Sequence, residues 1–307
     1  MGRSPGGTRR LSDDQKPLFD LAAVASKKPL PDFTLDRVRG GVAPLPPAQT
    51  NAKARLVEEY LRRFQIITKG GLYIDGFSGA QSPAHEEAWT AKRVLELEPK
   101  RIRRVWLCEQ DEAKLPQLRG LQMAHARNPR WREVTVLTGD FNRRVDQILM
   151  GNKIPRMSAV FVFLDQHSTE CQWATVERLA NHRPARKFEM LYFIGSMWLL
   201  RALSSARRPE RLAQFDAWWG GPGWRDLIGG NQTDIVSAFI RRFREELGYE
   251  FVKGYPIRLR EDEKTIAFHL IHASYHEQAP QLMAQAYMKV CGDRPGMPGS
   301  AQREMPF

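Results

Sequence analysis

Cysteine is scarce in this 307-residue chain: Cys108, Cys171 and Cys291 stand far apart and form no C-x-x-C pair. That spacing offers no disulfide framework and argues against a structural zinc or iron–sulfur centre within the chain. Also missing is any run of about 18 apolar residues, the length a membrane-spanning helix needs. Residues 1 to 30 carry Arg9, Arg10, Asp13, Asp14, Lys16 and Asp20 and lack the apolar core of a secretory signal, so a cytoplasmic location is expected. No turn has the G-x-G-x-x-G pattern of a dinucleotide-binding unit.

Positive charge, by contrast, is abundant. The formal net charge is +12, with arginines clustered at Arg101/Arg103/Arg104, Arg207/Arg208/Arg211 and Arg241/Arg242/Arg244. A basic surface favours a polyanionic partner such as nucleic acid, because phosphate contacts release counterions. The same clusters also read as solvated helix faces.

Composition divides the chain. Residues 1 to 50 are dominated by Gly, Pro, Ser and charge and end in "GGVAPLPPAQT"; such a segment buries too little to offset its ordering entropy and reads as a disordered or extended tail. Val57, Tyr60, Leu61 and Phe64 then recur at helical spacing among charged residues, which predicts an amphipathic helix over 51–66. Beyond it, short apolar runs at 72–77, 104–109, 134–137, 159–165 and 188–194 alternate with helix-like stretches. Five buried strands with helical crossovers imply a parallel sheet. Two further runs, 249–259 and 265–274, are joined by "REDEK", too short for a helical crossover, so the sheet should end in an antiparallel pair. This is an α/β, Rossmann-like layout, that of class I methyltransferases. The domain reading is a core over 51–200, a helical insert over 201–248 beside the carboxyl edge, closing strands and a C-terminal helix over 249–292, and a flexible tail over 293–307. Trp218, Trp219 and Trp224 in the insert either stack on unpaired bases or pack internally.

In such a sheet the ligand lies beyond the carboxyl ends of the strands. The first turn, "LYIDGFSGAQSP", ends its strand at Asp75 and runs through Gly76, Phe77, Ser78 and Gly79, whose glycines admit a close approach to a ligand. Ser82 suits a helix cap and Pro83 the first position of a helix over 83–98. The second strand closes at Glu109, where a carboxylate can take both ribose hydroxyls, with Asp111 as its nearest rival. "TGDFN" follows the third strand and offers Asp140 to an adenine amine and Phe141 to cover the ring; the fourth strand ends at Asp165. D-G-F-S-G looks like the first motif of S-adenosylmethionine (SAM) binders.

The succession "KARLVEEYLRRF", "YIDGFSG", "VWLCEQD", "TGDFN", "FVFLDQHSTECQWATVERLA", "FDAWWGGPGW" and "FHLIHASYHEQAPQLMAQAYMKV" resembles the three-Cys-motif partner proteins, TcmP, over residues 51 to 292. The resemblance implies a SAM-dependent methyltransferase-like fold and a radical-SAM-like partner that itself bears the three cysteines. Asp75, Gly76, Phe77 and Gly79 match the family's first motif, and Glu109, Asp140 and Asp165 its next three strand ends. Two departures stand out: Ala80-Gln81 replaces a longer glycine-rich excursion, and "FLDQHS" replaces the usual "FLDPfG". Gln166 and His167 therefore stand where amino methyltransferases grip the target amine, His167 as a general base or a stacking ring.

Three readings follow. The first is a SAM-dependent methyltransferase of unknown acceptor with Asp165, Gln166 and His167 at the reacting centre and no metal. The second is a non-catalytic partner protein with a degenerate methyltransferase fold that holds nucleic acid or protein. The third, weaker, is a nuclease-like use of Asp75, Asp140 and Asp165 with a divalent metal.

Overall fold

The structure, a computed structural model, describes residues 47–81, 85–125, 132–259 and 265–292. The tails 1–46 and 293–307, the Ser82 cap with Pro83, and the 260–264 connection fall outside the described residues. Seven strands alternate with nine α-helices there: α1 (Pro47–Ile67), β1 (Leu72–Asp75), α2 (Thr90–Glu96), β2 (Arg104–Glu109), α3 (Leu115–His125), β3 (Glu133–Thr138), α4 (Phe141–Met150), β4 (Val160–Leu164), α5 (Trp173–Asn181), β5 (Glu189–Ile194), α6 (Ser196–Ser205), α7 (Pro209–Trp219), α8 (Gln232–Glu245), β6 (Phe251–Arg258), β7 (Ile266–Ser274) and α9 (Ala279–Tyr287). They form one α/β unit with a mixed sheet in the order β3-β2-β1-β4-β5-β7-β6. The first five strands pair in parallel and β7 runs antiparallel to both β5 and β6, the reversal predicted from the short connection. No helix among the described residues is long and apolar enough to cross a membrane.

Both sheet faces are covered, which explains why β1, β4 and β5 are buried throughout and read as continuous apolar runs. On one face Tyr60 of α1 packs on Phe161 of β4, which stacks on Tyr73 of β1. On the other, Tyr192 of β5 stacks on Phe239 of α8, and Trp173 of α5 meets Phe243 edge-on. Helix α1 is held by its apolar stripe, flanked by the i,i+4 pairs Glu58–Arg62 and Glu59–Arg63, of which Glu59 is buried and also meets Lys289.

One expectation changes. The crossover after β1, predicted as one helix over 83–98, is a 3₁₀ turn at Glu86–Ala88 followed by the short α2. Trp89 between them is extended, and its indole N–H donates to the Ser78 carbonyl at 2.6 Å, tying the crossover back to the first turn. The stretch 201–248, read as a helical insert, packs on the sheet. Phe215, Trp218, Ile235, Phe239 and Phe243 join Val162 and Tyr192 in one hydrophobic core, so α7 and α8 belong to the layer that covers the sheet.

Candidate functional site

Asp75, Glu109 and Asp165 end, or directly follow, three strands that lie side by side, so the topology brings their backbones to one edge. Asp75 is 1% exposed. It accepts from the Phe77 N–H at 3.1 Å and the Tyr73 hydroxyl at 3.0 Å, while the Ser78 hydroxyl donates to its carbonyl. Burial raises its carboxyl to about 7, with the charge of Asp165 adding to the rise and the Phe77 N–H opposing it. Gly76 leaves no room for a side chain: a Cβ there would stand 2.9 Å from the Phe141 ring. Gly79 is tighter still, with its Cβ position 2.1 Å from Glu109 Oε2.

Glu109 is the anchor of this turn. Its Oε2 accepts the Gly79 N–H at 2.7 Å and its Oε1 the Asp111 N–H at 2.8 Å. The rival acid, Asp111, accepts the Ala113 N–H and is half exposed. Asp140 caps α4: its Oδ1 accepts both the backbone N–H and the side-chain amide of Asn142. Phe141, expected to cover a base, is 2% exposed with its ring against Gly76 and Phe77. Packed as the floor beneath the turn, it offers no open face for a ligand to stack on.

Past β4 the fourth motif takes an unexpected form. Asp165 is bound through both oxygens, each at 2.6 Å, by the ammonium of Lys53 from α1. Lys53 is fully buried, and its ammonium lies 5.1 and 5.6 Å from the ring centres of Phe193 and Phe268. Gln166 is 1% exposed and engaged at both ends, donating to the Phe193 carbonyl and accepting the Cys171 N–H, each at 3.0 Å. It is a buried strut between β5 and the loop after β4. His167 is exposed on that loop. The next two hydroxyls, Ser168 Oγ and Thr169 Oγ1, are buried without a hydrogen-bond partner. The cavity between the ends of β1 and β4, bounded by Thr50, Asp75, Ser78, Gln81, Trp89 and Asp165, measures about 10 Å³. That is space for one water.

Comparison with protein-family models and with curated proteins found no match to this chain.

Among the described residues, no group of three or more His, Cys, Asp or Glu side chains is arranged to hold a metal ion. The convergence of Asp75, Asp140 and Asp165 that the nuclease-like reading required is therefore not formed, since Asp140 is turned to its helix cap. The tryptophan platform is not formed either: Trp218 and Trp224 are each 1% exposed, and part-buried Trp219 lies under the Arg242 guanidinium at 4.4 Å and against Phe239. Lys53, which pairs with Asp165 at the candidate site, was not singled out from the sequence. Its signal was available, because Lys53, Val57, Tyr60 and Phe64 share one helical stripe of otherwise apolar residues.

Proposed function

We propose that the chain is a class I methyltransferase-like domain whose carboxyl edge binds SAM or a related adenosyl nucleotide. One observation carries the reading: the strand order β3-β2-β1-β4-β5-β7-β6, with β7 reversed, is the order of that fold class, and acidic residues stand at the ends of its first four strands. The resemblance to TcmP proteins points the same way and adds a radical-SAM-like three-Cys partner to the proposal.

The residues suit the group. Each Glu109 oxygen uses one lone pair on a backbone N–H and has a second for a ribose hydroxyl. Glycine at 79 lets the Glu109 carboxylate come against the turn, since a Cβ there would stand 2.1 Å from Glu109 Oε2 and 2.5 Å from Lys114 Cδ. The orphaned hydroxyls of Ser168 and Thr169 supply polar groups on the loop after β4. The cavity between β1 and β4 measures about 10 Å³ and does not hold a nucleoside as it stands, so binding requires it to open. When bound, SAM supplies the electrophilic methyl group itself. The chain's own part is to fix the ribose through Glu109, align the acceptor, exclude water and receive a proton, for which Asp75, raised to about 7, and exposed His167 are the two groups at this edge.

A specific observation favours a second reading, a partner protein that keeps the pocket without the chemistry. Asp165 is neutralised by Lys53, and Gln166 is consumed as a strut, so neither is presented to an acceptor amine. Titrating SAM and S-adenosylhomocysteine calorimetrically, then assaying labelled methyl transfer to RNA, DNA and protein fractions, tests both. Binding with transfer supports the enzyme, binding without transfer supports the partner protein, and no binding at millimolar ligand removes the proposal.

A further inference from the structure

At the opposite, amino edge of the parallel strands lies a much larger groove of about 720 Å³. It is bounded by Leu72, Val160 and Glu189, the first residues of β1, β4 and β5, and by Ser274 at the end of antiparallel β7. Five strand steps, roughly 16 Å at about 3.3 Å each, separate Val160 from Asp165, so this groove is distinct from the carboxyl-edge site. Its volume falls within the range of about 300–1,000 Å³ typical of small-ligand pockets.

The lining is layered. Phe64, Leu72, Val160 and Leu282 form apolar walls, with Ile67, Met157 and Tyr275 substantially exposed at the mouth. On the floor Glu189 receives the Tyr60 hydroxyl and His272 Nε2, both on Oε1. Positive charge rims the groove: Lys69, Arg103 and Arg186 line it, and none of the three forms an ion pair with a described residue. Lys69 stands in a left-handed turn with Gly70 and Gly71, at φ of 55°, 141° and 105°. A Cβ at Gly71 would press on Phe64 at 2.6 Å, so the turn that shapes this mouth depends on glycine.

We propose that the groove is a ligand site for a small organic anion with an apolar body, its anionic head held by Lys69, Arg103 and Arg186 and its body lying against Phe64, Leu72, Val160 and Leu282. The cations supply charge-assisted hydrogen bonds to a carboxylate, sulfonate or phosphate head. The walls supply the burial that a bare phosphate lacks, and Glu189 offers its second oxygen to a donor group at the inner end.

The test uses the full chain with 1-anilinonaphthalene-8-sulfonate as a fluorescent probe and two competitors of equal tail and opposite charge, octanoate and octylammonium. The expected result is one saturable site from which octanoate displaces the dye and octylammonium does not. Arg103→Glu with Arg186→Glu, both at exposed positions, should weaken the dye and octanoate by about tenfold or more. Ala185→Trp, also exposed on the lining, should fill the mouth and abolish binding. Circular dichroism and the thermal midpoint establish that both variants are folded. Asp75→Asn, at the other edge, should leave dye binding unchanged, which separates this site from SAM binding. Absence of saturable binding, equal displacement by the two competitors, or binding unaltered in both groove variants would overturn the proposal.

Discussion

Lys53 and Asp165, 112 positions apart, meet as a buried ion pair in which one ammonium touches both carboxylate oxygens at 2.6 Å. The pair joins α1 to the end of β4 at the edge where the candidate nucleotide site lies. Removing one member leaves the other charge largely buried and unpaired. Lys53→Met should therefore cost about 3–5 kcal/mol in urea unfolding, whereas Lys53→Met combined with Asp165→Leu should restore much of that loss. A double variant no more stable than the single one would show that the pair contributes no mutual compensation.

Asp75 makes stability depend on pH. Its carboxyl is raised from 3.8 to about 7 by burial first and the Asp165 charge second. The folded protein therefore keeps a proton that the unfolded chain releases from about pH 4 upward, and the contribution is lost as pH rises through about 7. Asp75→Asn lacks this proton. Relative to the variant, the wild type should lose urea resistance between about pH 5 and pH 8; a constant difference across that range would contradict the shift.

Gln166 is expected to act on stability before chemistry. Gln166→Ala leaves the Phe193 carbonyl and the Cys171 N–H without their partner, at about 1–3 kcal/mol for each buried group left unsatisfied. Gln166→Pro loses the same two bonds and should be destabilised comparably, so a proline does not suit this loop. Unfolding midpoints of the two variants, measured side by side, check the claim.

Glu109 carries both the turn and the expected ribose contact. Glu109→Ala should weaken SAM by roughly tenfold or more, as loss of a charge-assisted hydrogen bond implies. It should also speed hydrogen exchange at the Gly79 amide, which loses its acceptor. Faster exchange with unchanged SAM affinity would assign Glu109 to the turn alone.

Trp218→Ala should cost about 3–5 kcal/mol, as for other large aromatics removed from a core. Trp219→Ala should leave affinity for single-stranded oligonucleotides unchanged at fixed salt, because its ring is taken by Arg242 and Phe239. A selective loss of single-strand binding in that variant would return the stacking role to it.

Much of the architecture was legible because periodicity is a local property. The run 104–109 became β2 without a shifted boundary, and the short 260–264 connection correctly implied an antiparallel pair. The crossover after β1 was misread since nothing local announces that Trp89 will reach back to the Ser78 carbonyl. Among the candidate site residues, Asp75, Glu109 and Asp165 were legible as strand-end carboxylates, but their partners were not. Asp140 and Phe141 were placed correctly in the chain, and their side chains went to a helix cap and a packed floor.

By itself the sequence determined which segments become strands, which face of α1 is apolar, and which acids fall at strand ends, since these follow from spacing of two, three or four residues. Only the tertiary structure decided the position of β7 between β5 and β6, the burial of Trp218 in a shared core, the capture of Asp165 by Lys53, and the groove at the amino edge. Those outcomes depend on strand order and helix placement, which bring together residues more than a hundred positions apart, and no local pattern encodes the identity of such a partner.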